Sequence, residues 1–147
     1  DDAVPANTTG TQTTTDSADS VDLEPENPAA PIAEEETNSA PAPLASGRYA
    51  DYTTGAVANT GYTETILFFH ADWCPECRAF EQAITASTIP DGVQILEVDY
   101  DDNQELRRTY GVTIQTTFVK VDGNGSELSS WVGYGRDKSL NAVLENT

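Results

Sequence analysis

Two cysteines occur among the 147 residues, and both fall in the stretch Cys74-Pro75-Glu76-Cys77. Ahead of them Thr65-Ile66-Leu67-Phe68-Phe69-His70 is a largely apolar run of strand length, followed by Ala71-Asp72-Trp73. Behind them Phe80, Ala83 and Ile84 fall at the i, i+3 and i+4 positions of a helical stripe. A strand, a short loop and a Cys-x-x-Cys opening a helix form the setting expected of a dithiol redox pair. A helix N-terminus presents unpaired N–H groups and the positive end of the dipole, and both favour a thiolate over a thiol. Cys74, expected at the exposed start, is the candidate nucleophile. Cys77, one turn inside, is the candidate resolving thiol.

Other uses of the pair fit less well. Structural zinc takes four ligands, and His70 is the sole histidine, so the site stays incomplete unless carboxylates or a second chain join it. No metal and no cofactor is expected. A structural disulfide enclosing two residues restricts the unfolded chain little and so stabilises weakly.

The run Phe69-His70-Ala71-Asp72-Trp73-Cys74-Pro75-Glu76-Cys77 resembles the active-site region of the thioredoxin family, in which an aromatic-rich strand leads into Ala-x-Trp-Cys-x-x-Cys. The resemblance covers residues 46–147. Val93–Asp99 is similar to the family's next strand and residues 103–111 to its following helix. Thr117–Val121, the turn Asp122-Gly123-Asn124-Gly125 and residues 127–133 are similar to its terminal hairpin, before a last helix carrying Leu140, Val143 and Leu144. It implies an α/β, thioredoxin-like fold with a central mixed sheet flanked by helices. It also implies a thiol-disulfide oxidoreductase, acting more as a reductase than as an oxidant. A disulfide-introducing oxidant and a non-catalytic binding module on the same fold remain as alternatives.

Residues 1–45 differ in kind. They hold no aromatic, Lys or Arg residue, six of the eight prolines, seven threonines and ten acidic residues, so they cannot bury enough apolar surface to offset chain entropy. A disordered acidic linker is expected there, and one domain over 46–147. Of the net charge of −18, the domain carries −8, so both parts repel nucleic acid phosphates. A Pro/Thr/acidic stalk before a small redox domain resembles exported, membrane-tethered thioredoxin-like proteins of bacteria. The resemblance implies an extracytoplasmic monomer tethered to the cell membrane. Its expected partners are cysteine-containing extracytoplasmic proteins and a membrane electron donor or acceptor.

Departures from the family pattern mark the residues of interest. The family's buried aspartate in the central strand is matched by Phe68, and the lysine that pairs with it by Glu97. Glu97 is therefore the expected acceptor of the Cys77 proton, its basicity raised by desolvation. The family's cis-proline facing the disulfide is matched by Thr116, whose hydroxyl is expected to bond the Cys74 thiolate, beside the substrate-pairing backbone of Gln115. Pro75 suits the first helical position. Glu76 is expected to raise the Cys74 pKa by like charge and so make the couple more reducing, with Arg78 offsetting part of this. Trp73, Asp72, Tyr134 and Gly133 are expected to border the substrate groove, with Gly133 leaving room for substrate backbone. His70 reads as an aromatic-sized packing residue under the loop.

Overall fold

The computed structural model describes residues 42–147. The linker expected over 1–45 thus lies outside the described residues except for 42–45. Ala45 already pairs with the folded chain, donating to the Gly61 carbonyl at 2.9 Å and accepting from the Gly92 amide at 2.7 Å.

Nine elements follow in order. They are β1 (Arg48–Asp51), α1 (Thr54–Val57), β2 (Glu64–His70), α2 (Pro75–Thr85), β3 (Val93–Asp99), α3 (Gln104–Thr109), β4 (Thr117–Val121), β5 (Glu127–Val132) and α4 (Leu140–Asn146). The sheet runs β1-β3-β2-β4-β5. The first three strands in that order are parallel, and β4 and β5 are antiparallel additions. β2 lies in the middle, and Thr65 to His70 are all buried. This is why its residues read as an unbroken apolar run rather than an alternating one.

Helices flank the sheet. On one face Phe68 of β2 stacks on Phe118 of β4 with ring centroids 4.4 Å apart, and Phe80 of α2 meets Phe118 edge-on at 5.1 Å. Trp131 of β5 closes the same cluster. On the other face Phe69 meets Tyr110, the residue after α3. Such offset and edge contacts suit the ring quadrupoles and add to the apolar area removed from water. α4 buries Leu140 and Val143, as its spacing predicts.

The ends of α3 separate an expectation met from one that is not. Gly111 sits just past its end at φ 61, and the amides of Gly111 and Val112 return to the carbonyls of Arg108 and Arg107. This is the paired-bond stop that favours glycine. Asn103 stands at the N-cap position but makes no side-chain cap; its amide instead donates to the Asp99 carbonyl at 2.9 Å. The Asp99 carboxylate holds the turn by accepting from the amides of Asp101 and Asp102. The turn before α3 thus occupies the side chain that would have capped it.

Candidate active site

β2 and β3 run parallel and end together, His70 opposite Asp99. Beyond the end of β2 the chain turns through Ala71-Asp72-Trp73 and enters α2 at Cys74, which is its N-cap. The position at the carboxyl ends of parallel strands is where α/β sheets place ligands. Pro75 occupies the first helical turn as its fixed φ allows. The Cys77 amide donates to the Cys74 sulfur at 3.4 Å, so a cysteine does the capping that serine or aspartate usually does.

Both cysteines are free thiols and both are buried. The exposed start expected for Cys74 is corrected: only 1% of its surface is accessible, and the Thr116 hydroxyl lies against its sulfur. Burial pushes the Cys74 thiol up, but the backbone amide and side chain of Cys77, the Thr116 hydroxyl and Gln115 outweigh it and hold the thiol below its usual range. Burial pushes Cys77 up to about 11, with Thr116 and the Ala71 backbone only partly opposing it. One thiol is thereby prepared as a thiolate while its neighbour keeps its proton, which is the division of labour between attacking and resolving cysteines.

Thr116 lies immediately before β4 and is wholly buried. Its φ of 63 places a β-branched residue in the left-handed region, at a cost of about 1–3 kcal/mol. Two backbone bonds hold it there: its amide donates to the Phe69 carbonyl at 2.9 Å, and its carbonyl accepts from the Gly133 amide at 2.8 Å. The hydroxyl oxygen stands 3.0 Å from the Cys77 sulfur and 3.6 Å from the Cys74 sulfur. The expected bond to Cys74 is present, and the closer partner is Cys77.

Residues 53–146 match the family model described as Thioredoxin. The chain belongs to the thioredoxin family. It is 36% identical over 61 residues to a thioredoxin-like protein of Fusarium culmorum, covering 39% of this chain and 50% of that one. To the thioredoxin of Bacillus subtilis (strain 168) it is 30% identical over 90 residues, covering 59% of this chain and 85% of that one. The chain spans about half the length of several curated relatives it matches, the Fusarium protein among them. Among solved structures it is similar in fold to a single-site mutant of thioredoxin from Halobacterium salinarum, with a TM-score of 0.54 and 24% identity over 71% of this chain and 89% of that one.

On the thioredoxin frame the remaining site residues fall into place unevenly. Glu76 does not act on Cys74 as an unopposed charge. Its carboxylate pairs with Lys138 and accepts from the Gly135 amide at 2.9 Å, and these two contacts hold it below the usual carboxylate range. Lys138, rather than Arg78, is the cation that offsets it. No pattern near the cysteines could have named Lys138, which enters from the far end of the chain beside α4. Trp73 is 58% exposed, and its indole N–H donates to Asp101 at 2.8 Å, which fixes a flat apolar surface beside Cys74. Tyr134 is exposed, as is Asp72. Gly133 differs from its expected use. A Cβ there would point at the Phe80 and Phe118 rings, 3.0 and 3.1 Å away, so what its missing side chain admits is the aromatic cluster.

Glu97 lies directly across from Phe68 in the strand register, as the pairing of family positions implies. Its carboxylate accepts the Tyr49 hydroxyl and stands 3.6 Å from His70 Nδ1. Among the described residues none of its hydrogen bonds goes to Cys77. Burial first, then the bond to Glu97, pushes the Tyr49 hydroxyl far above its usual range, so it remains a donor. His70 packs edge-on against Phe68, as an aromatic would, with centroids 5.4 Å apart. It is also ringed by the carboxylates of Asp72, Glu81 and Glu97 at 3.8, 3.4 and 3.6 Å. This cluster spans β1, β2, α2 and β3, and sequence spacing along one element carries no signal for it.

Proposed function

We propose that this protein is a thiol-disulfide oxidoreductase that exchanges its Cys74–Cys77 pair with disulfides of extracytoplasmic protein substrates, acting as a reductase. The observation that carries the reading is the unequal pair itself: a Cys74 thiol held down at the start of α2 beside a Cys77 thiol held up at about 11. In the reducing direction the Cys74 thiolate attacks a substrate disulfide, one substrate sulfur leaves, and Cys77 displaces the other from the resulting mixed disulfide. Trp73, next to the nucleophile in the chain, supplies apolar surface for a polypeptide to rest on. The location rests on the stalk-like composition of residues 1–45.

The reducing direction does not rest on Glu76, whose charge Lys138 answers. It is supported by the groups that stabilise Cys74, all of them neutral: an amide, a thiol, a hydroxyl and the Gln115 side chain. A thiolate stabilised without a full positive charge leaves the dithiol less favoured than in strong oxidants. Equilibration with glutathione, read by mass of the alkylated protein, is expected to place the couple nearer about −270 mV, where thioredoxins lie, than about −120 mV. A value at the oxidising end would make the protein a donor of disulfides instead.

Within this reading Glu97 takes up the Cys77 proton by way of solvent, since Tyr49 and His70 occupy its carboxylate. Glu97→Gln is expected to slow release from a mixed disulfide about threefold near neutral pH, a modest loss for a base acting at second hand. An unchanged rate would leave Glu97 as a structural partner of Tyr49 and His70 alone.

A further inference from the structure

The Thr116 hydroxyl touches both reacting sulfurs yet has a single proton to give. It is wholly buried, and its backbone is pinned at Phe69 and Gly133, which places the oxygen beside both sulfurs. The hydroxyl can still turn about its C–O bond, which redirects the proton without moving a heavy atom. Phe68, fully buried in β2, offers no acid to the site. Thr116 thus reaches the Cys77 sulfur as well as the Cys74 sulfur.

Resting on the exchange chemistry proposed above, we infer that Thr116 is a catalytic donor shared in turn by the two sulfurs. In the reduced protein Cys77 keeps its proton, and the Thr116 hydroxyl proton points at the Cys74 thiolate. Once Cys74 is tied into a mixed disulfide its sulfur is neutral and a poor acceptor. The hydroxyl then turns to Cys77, 3.0 Å away, and favours loss of the Cys77 proton to water. The Cys77 thiolate attacks the Cys74 sulfur, the Cys74–Cys77 bond forms and the bond from Cys74 to the substrate sulfur breaks. The substrate sulfur leaves with the electron pair and takes a proton from water. Over the two steps the pair loses two electrons and the substrate disulfide gains them. The proline that usually stands at this position has no hydroxyl and cannot do this.

The test uses the full chain, reduced, with the aromatic disulfide dithiobis-nitrobenzoate as probe in stopped flow. The first release of thionitrobenzoate reports attack by Cys74, and the second reports resolution by Cys77. Thr116→Val keeps the shape and β-branching and removes the hydroxyl; Thr116→Ser keeps the hydroxyl. In Thr116→Val the pH midpoint of the first phase is expected to rise by about one pH unit, and the second phase to slow about tenfold near neutrality. Thr116→Ser is expected to restore both. A Val variant that alters only one phase would show a fixed donor and overturn the sharing. An effect on neither phase, or an effect that Ser does not restore, would assign Thr116 to packing. These readings use a synthetic disulfide, so they stand or fall separately from the natural substrates and the direction of electron flow, which the glutathione equilibration tests.

Discussion

Cys77→Ser is expected to leave the protein covalently joined to the disulfide substrates it attacks. Cys74 keeps its cap bond from the residue 77 amide, a backbone contact that the substitution spares, so the first exchange proceeds. Resolution then has no internal thiol and must wait for one from solution, which lowers its rate by orders of magnitude because the effective concentration of a neighbouring thiol is lost. Non-reducing electrophoresis with mass analysis of the adducts reads the outcome. Cys74→Ser is expected to form no adduct, and adducts through Cys77 in that variant would reverse the two roles. Cys77, holding its proton to about 11 while Cys74 is held below the usual range, is a poor first attacker.

Phe68→Asp restores the residue type usual in the family and is expected to unfold the domain. Phe68 is fully buried, stacked on Phe118 and set edge-on to Phe80 and His70. Removing a phenylalanine from such a position costs about 3–5 kcal/mol, against total stabilities of about 5–15 kcal/mol. The introduced carboxylate also lacks a cation, since the family's lysine position is Glu97, which faces it across the register. Urea unfolding followed by far-UV circular dichroism checks this. A midpoint within experimental error of the parent would mean that water or a shifted side chain solvates the acid, and that the aromatic cluster is dispensable.

These two residues also show how far the sequence could be read. The central strand, the helix after the cysteines, the hairpin and the final helix follow from runs, periods and turn residues that are local in the chain, and the structure has all of them. The pairing of Phe68 with Glu97 was legible too, since it needed only the family order of elements. What was not legible depends on contacts between distant segments. Cys74 is buried with Thr116, from the start of β4, against its sulfur. The neutralisation of Glu76 comes from Lys138, and the carboxylate ring around His70 gathers residues from several elements. Asn103 had the right residue type at the right position, but its amide found the Asp99 carbonyl instead. The preference of Thr116 for Cys77 over Cys74 is a matter of 3.0 against 3.6 Å, set by a backbone φ that threonine rarely takes.

The cap on α2 also ties electron transfer to heat. The bond from the Cys77 amide to a Cys74 thiolate exists in the reduced fold and is lost when the chain melts, whereas the oxidised fold has no such thiolate to lose. Around the closed cycle of oxidation and melting, the difference in unfolding free energy between the two forms equals the difference in disulfide stability between folded and unfolded chains. About 30 mV corresponds to about 1.4 kcal/mol for this two-electron couple. The more firmly the fold grips the thiolate, the less its disulfide adds to thermal resistance. A pair of calorimetric scans, one on each form, therefore weighs the same quantity as the potentials of the folded and unfolded chains taken together.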